Sequence, residues 1–197
     1  MLVRTSDAHV MSLEGGVVVS LPYFQKRTIY TDELLQEYPI YKTEKIQAEK
    51  VPLLATWDVI KPDGSKVVQV MKYLPQINIL DVHTGNIICY RMKNHTAFSL
   101  LKSDFLPENK EIYYDSVHAD DNYIYASYWG KYLGDSYTSH ASNFIHVFDW
   151  HGKQLYELIT DRVFTYIWLD PVRNRLYTTD LETDEVFYLD MTELDSL

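Results

Sequence analysis

The chain has 197 residues, 46% hydrophobic and 23% charged, which is enough apolar material for a packed core and too much for wholesale disorder. With 28 acids against 18 bases it carries a formal net charge of −10, which repels phosphate backbones and anionic lipid and sets aside nucleic-acid and membrane-surface partners. No apolar run approaches the roughly 18 residues that a bilayer requires, residues 1–10 (MLVRTSDAHV) lack the apolar region of a signal peptide, and the lone Cys89 leaves no intramolecular disulfide. The 17 tyrosines favour strands, where a flat amphipathic ring covers a half-buried pleated face.

Along the chain, residues 11–20 (MSLEGGVVVS) read as a weak hairpin. Residues 31–41 (TDELLQEYPIY) open like a helix N-terminus, with Thr31 ahead of Asp32 and Glu33, and predict a short helical insertion between strands. Residues 57–70 (WDVIKPDGSKVVQV) predict a hairpin with a polar turn. Residues 77–88 (INILDVHTGNII) predict a second hairpin, its first strand ending in Asp81 and its turn holding Gly85. Cys89 continues that strand as a buried, inert thiol. Residues 93–110 form a connector broken by Pro107 and Asn109, before another hairpin at 117–127 (VHADDNYIYAS). After a long link at 129–143 (WGKYLGDSYTSHASN), residues 145–155 (IHVFDWHGKQL) repeat the earlier pattern, with Asp149 and Gly152 in place of Asp81 and Gly85. A hairpin at 168–179 (WLDPVRNRLYTT) and a third strand-plus-Asp at 186–191 (VFYLDM, with Asp190) complete the chain.

Two hairpin types therefore alternate, with turns of the first type centred near residues 15, 64, 121 and 174. Two hairpins per period make four strands, and a four-stranded antiparallel unit repeating every ~50 residues is the mark of a β-propeller blade. The expected fold is all-β, with about four blades at residues 8–50, 51–95, 110–160 and 161–191. The last unit lacks an obvious outermost strand. Either the chain is an open arc of a larger propeller, the favoured reading, or residues 1–5 (MLVRT) supply that strand and close a four-bladed ring. An open arc leaves apolar faces and edges through which copies of the chain can associate.

Residues 143–191 resemble the last repeats of the TolB-like six-bladed β-propeller proteins of bacteria. The matching elements are IHVFDWHGK at 145–153, DPVRNRLY at 170–177 and the strand ending in Asp190. The resemblance implies architecture and carries over no catalytic residue. Its members are longer and often exported or lipid-anchored, so the chain reads as a truncated or mis-started copy.

The seven histidines, at 9, 83, 95, 118, 140, 146 and 151, show no zinc-type spacing. Metalloprotease, nucleotide-cradling and nucleophile-elbow patterns are absent, so neither a metal nor a cofactor is expected. His118 with Asp120 and Asp121 reads as a strand-turn signal ahead of a metal cluster, and residues 180–185 (DLETDE) as a solvated turn ahead of a calcium loop. Trp57 and Trp168, near the ends of innermost strands, read as packing between blades. The link at 129–143 is longer than a hairpin requires and lies on the rim of the central channel. Its Trp129, Tyr132, Tyr137 and His140, with His118, are the candidate ligand-binding residues, suited to a protein, peptide or glycan. The expected function is a non-enzymatic binding or interaction module. The alternative is a propeller hydrolase or lyase in which Asp115, His118 and His140 converge, and a gene fragment stable only as an oligomer is a third reading.

Overall fold

The computed structural model describes residues 2–5, 9–13, 16–20, 22–27, 31, 34–39, 53–93, 96–101, 110–132, 144–192 and 194. The first five strands are β1 (Leu2–Thr5), β2 (His9–Leu13), β3 (Gly16–Ser20), β4 (Pro22–Arg27) and β5 (Leu34–Pro39). β2 and β3 form the expected hairpin, with Val10 opposite Val19 and Met11 opposite Val18. β1 pairs antiparallel with β4, Leu2 opposite Arg27, so the strand that the alternative closed ring would place on the last unit is instead part of a sheet in order β1-β4-β5. The expected helix around residues 31–41 is also a strand. β5 pairs along β4, Gln25 opposite Glu37, and this cross-strand ladder overrides the weak local helix signal of Thr31-Asp32-Glu33.

The remaining strands form three consecutive antiparallel sheets. β6 (Thr56–Ile60), β7 (Lys66–Met71), β8 (Gln76–Asp81) and β9 (Ile87–Arg91) make the first, in chain order. β10 (Glu111–Ala119), β11 (Tyr123–Tyr132), β12 (Phe144–Asp149) and β13 (Gln154–Ile159) make the second. β14 (Phe164–Asp170), β15 (Arg175–Asp180) and β16 (Val186–Asp190) make the third. A short 3-10 turn, Thr96–Leu101, lies between the first and second sheets.

One turn device recurs. Asp81 Oδ1 accepts from the amides of His83 and Thr84, Asp149 Oδ1 from those of His151 and Lys153, and Asp180 Oδ1 from those of Glu182 and Thr183. Asp190 Oδ1 accepts the Thr192 amide in the same way. A carboxylate taking two turn amides fixes where each strand stops, and Gly85 and Gly152 supply the positive φ that the turn demands. The acidic stretch at 180–185 is such a turn.

Alternation decides which side chains meet between sheets. Val68, Val70, Ile77 and Ile79 of the first sheet join Tyr114, Ile124, Ala126 and Phe148 of the second in one buried cluster, where Tyr90 meets Phe148 edge-on at 5.5 Å. The other face of the second sheet, through Tyr125, Ile145 and Val147, joins Phe164, Ile167, Leu169 and Leu176 of the third. Full burial of each such side chain contributes about 1.5–3 kcal/mol. β10 lies against β6 on one side and β14 on the other, so the first strands of the three sheets are neighbours. All-β blades stacked in chain order with their first strands adjacent make this a β-propeller architecture. No helix among the described residues is long and apolar enough to cross a membrane.

Cys89 does not take its expected buried place. It is exposed on β9, the outermost strand of its sheet, on the face opposite Ile88 and Tyr90.

Two glycine substitutions separate backbone strain from crowding. Gly64 has φ +74° and open space where a Cβ would stand, so Gly64→Ala is expected to cost about 1 kcal/mol. At Gly130, with φ +61°, a Cβ would stand 2.9 Å from Tyr128 Cε1, and Tyr128 is stacked on His146 at 4.3 Å. Gly130→Ala is expected to cost about 2–3 kcal/mol, read as the difference in urea unfolding free energy.

Candidate functional site

The site is built on β10, whose residues 115 and 116 tie it to both neighbouring sheets. Lys72, just after β7, reaches across so that its Nζ donates to Asp115 Oδ1 at 2.6 Å, and the Tyr113 amide donates to the Lys72 carbonyl at 2.7 Å. On the opposite face of β10, Ser116 Oγ accepts the Ile167 amide of β14 at 3.3 Å. Asp115 and Ser116 are both buried. Burial alone would lower the Lys72 ammonium, but the hydrogen bond and negative charge of Asp115 carry it above the ordinary lysine value.

Around these ties stand aromatic rings. Trp57 of β6 meets Tyr166 of β14 edge-on, with ring centroids 5.8 Å apart, and His118 of β10 lies 5.0 Å from Trp168 of β14. Trp57 is 38% exposed, Tyr166 56% and Trp168 67%, so Trp57 keeps a contact with a ring of another sheet while Trp168 does not take the core place expected of it. The physical reason at Trp168 is strand parity. Ile167 and Leu169 turn into the core shared with the second sheet, and Tyr166 and Trp168 therefore turn away from it. That alternation holds from Ile167 to Leu169, whereas a register shift between Phe164 and Ile167 lets Phe164 enter the same core, so the outward place of Tyr166 is not readable from the sequence.

The sequence-derived candidates fall in different places. His118 is half-buried, and burial holds its imidazole below the ordinary histidine value. Trp129 is buried on β11, which continues into the expected link as far as Tyr132 and pairs Lys131 with Ile112 and Tyr132 with Glu111. Tyr132 closes that strand. Tyr137 and His140 lie outside the described residues. Of the residues expected to converge in an enzyme, Asp115 is held by Lys72 and His118 lies against Trp168, while His140 is not among the described residues. Asp120 is spent on its turn. Its Oδ1 accepts the Asn122 and Tyr123 amides, its Oδ2 the Tyr125 hydroxyl, and its carbonyl the Trp150 indole.

Two buried polar groupings lie within the second and first sheets. His146 is stacked on Tyr128, its Nδ1 3.3 Å from the Tyr114 hydroxyl and its Nε2 3.1 Å from Glu157. Burial pushes this imidazole down, against the pull of Glu157, and pushes the Tyr114 hydroxyl well up. In the first sheet, Gln69, Asn78 and Gln76 are fully buried and linked in a ladder that the Arg91 guanidinium ends at 2.7 Å. Nothing in the sequence marked either grouping, because each pairs residues brought together by strand register.

No family model matches the chain, and no curated protein resembles it in sequence. The WD40 domain of Toxoplasma gondii coronin superposes with a TM-score of 0.51 at 12% identity, covering 88% of this chain and 39% of that one. The β-propeller domain of Cps50 (Swd1) from Myceliophteria thermophila gives a TM-score of 0.49 at 15% identity, covering 90% of this chain and 50% of that one. The chain thus spans at most half the length of these propellers, and at such identity the likeness is one of fold alone.

Two predictions follow from the buried charges. Lys72→Met and Asp115→Asn each strand one partner of a half-buried, hydrogen-bonded ion pair, and each is expected to cost about 2 kcal/mol in urea unfolding. The double variant is expected to recover part of the loss.

Acid is expected to destabilise the protein in two windows. The unfolded chain protonates its histidines near pH ~6.5, whereas His118 and His146 do so only at lower pH when folded. The unfolded state then holds more protons, so stability falls as pH drops below about 6.5. Hydrogen bonds hold Asp63, Asp81, Asp170, Asp180 and Asp190 below the ordinary carboxylate value, from the Lys61 ammonium at Asp63 and the Thr84 amide at Asp81. A second loss therefore sets in below about pH 4. Unfolding midpoints measured between pH 7.5 and 3 check both windows, and His146→Gln is expected to flatten the first.

Proposed function

We propose that the protein is a non-enzymatic interaction module that receives a segment of another protein on the aromatic opening formed by Trp57, His118, Tyr166 and Trp168. The observation that carries this reading is the exposure of three large rings, Trp57 on β6 and Tyr166 and Trp168 on β14, where Ile167 and Leu169 pack on the other side. Rigid aromatic side chains present large contact area at little entropic cost, which suits recognition of peptide side chains and of sugar faces alike. Propellers such as the coronin WD40 domain share the fold, and this chain's resemblance to TolB-like propellers over residues 143–191 belongs to the same proposal. So do the four-unit division at 8–50, 51–95, 110–160 and 161–191, and a rim completed by Tyr132, Tyr137 and His140 with Trp129 packed beneath it.

A hydrolase or lyase built on Asp115 and His118 would have to break the Lys72–Asp115 pair to free its carboxylate. That requirement weighs against the alternative.

The test is a peptide array and a glycan array probed with the whole protein, with hits titrated by tryptophan fluorescence. Trp57 and Trp168 are exposed, while Trp129 and Trp150 are buried, so binding at the opening shifts the acrylamide-quenchable part of the emission. Trp57→Ala and Trp168→Ala are each expected to weaken peptide binding roughly tenfold, about 1.4 kcal/mol, without lowering Tm by more than a few degrees. Turnover of a chromogenic glycoside or peptide that disappears in Asp115→Asn would overturn the proposal. Binding of glycans alone would transfer the site to sugars.

A further inference from the structure

The Lys72–Asp115 pair has hydrogen-bonding capacity that the fold leaves unused. Asp115 is 8% exposed and its Oδ1 takes the Lys72 ammonium, but its Oδ2 has no hydrogen-bond partner among the described residues. A carboxylate oxygen taken this far out of water calls for a donor. Lys72 Nζ can donate three hydrogen bonds, makes only this one among the described residues, and belongs to a side chain that is 25% exposed.

The pair belongs to the aromatic opening. The Lys72 amide donates to the Ala55 carbonyl, so the β6–β7 ladder runs one residue past its strands. Lys72 lies two residues beyond Val70, which stands opposite Trp57, and alternation brings Lys72 and Trp57 to the same face of the first sheet. The Tyr166 phenol lies within electrostatic reach of the Lys72 ammonium and meets Trp57 edge-on. Neither the Trp57 indole N–H nor the Tyr166 hydroxyl has a hydrogen-bond partner among the described residues.

Building on the function proposed above, on which this step rests, we propose that the pair reads a carboxamide, an asparagine or glutamine side chain of the received segment. Its carbonyl oxygen accepts from Lys72 Nζ and its amide nitrogen donates to Asp115 Oδ2. The physical reason is that the pair is neutral. A carboxylate guest is attracted by Lys72 and repelled by Asp115, and an ammonium or guanidinium meets the reverse. An aliphatic guest covers Oδ2 without giving it a donor. A carboxamide is uncharged, carries acceptor and donor side by side, and lays a flat group against the Trp57 and Tyr166 rings. Lys110, which shares the Tyr73 ring with Lys72, is followed by Glu111, so the next charges again come one of each sign.

The probes are four end-blocked pentapeptides, alike except for a central glutamine, glutamate, lysine or leucine between glycines. Each is titrated at millimolar concentration into the whole protein and followed by quenchable tryptophan emission and ligand-observed NMR. The glutamine peptide is expected to bind roughly fivefold more tightly than the other three, with little dependence on salt. Asp115→Asn leaves Lys72 uncompensated and is expected to turn the preference to glutamate, while Lys72→Met leaves Asp115 uncompensated and turns it to lysine. Should the single variants fold poorly, the double variant Lys72→Met with Asp115→Asn is expected to lose the roughly fivefold advantage of glutamine. Trp57→Ala is expected to weaken all four peptides together. Equal binding of the four, still weakened by Trp57→Ala, overturns the carboxamide reading and leaves the function proposed above in place. A glutamine preference that persists in the single and double variants also overturns it. Binding of no peptide, or binding that Trp57→Ala leaves untouched, overturns both.

Discussion

The architecture rests on one strand that is held from both sides. Asp115 and Ser116 are successive residues of β10 at a register shift against β11, and each is claimed by a different sheet. The Asp115 carboxylate takes the Lys72 ammonium from the first sheet, and the Ser116 hydroxyl takes the Ile167 amide from the third. Hydrophobic burial is non-directional and would let the sheets slide, whereas these two polar contacts fix the register of one against the next. The rings of Trp57, His118, Tyr166 and Trp168 are presented on the strands so aligned.

The rings are exposed for a reason of geometry rather than composition. The second sheet has one face turned to the first and one to the third, and the same two faces can be followed through all three sheets. In the first two sheets the successor face is rich in Val and Ile and is covered. In the third it holds Trp168, Tyr177 and Tyr188 in one cross-strand row, with the Arg175 guanidinium 4.1 Å above the Tyr188 ring. Large rings with a polar or cationic companion tolerate water better than valine does, and on this face, among the described residues, they stand exposed beside Val186.

Much of the fold was legible along the chain. Asp81, Asp149 and Asp190 announce where strands end, because a carboxylate collecting turn amides is a local interaction within four residues. The alternation around Ile77–Ile79 and Ile145–Val147 announces strands with one core face. The misreadings are equally local in origin. Thr31-Asp32-Glu33 carries a helix-start signal, but β4 was available to pair, and a ladder of backbone hydrogen bonds outweighs a few tenths of a kcal/mol of propensity. Cys89 sits among apolar neighbours in sequence but on the outermost strand in space.

The sequence by itself determined the period of the fold: strand, turn and strand, repeated with an aspartate at fixed intervals, since both strand alternation and turn capping act over a few residues. Only the tertiary structure decided which partner each side chain met. Lys72 and Asp115 are 43 residues apart, Ser116 and Ile167 51, and Trp57 and Tyr166 more than a hundred. Their meeting depends on how one sheet stacks against the next, which is set by the fit of two faces and is written in no single segment.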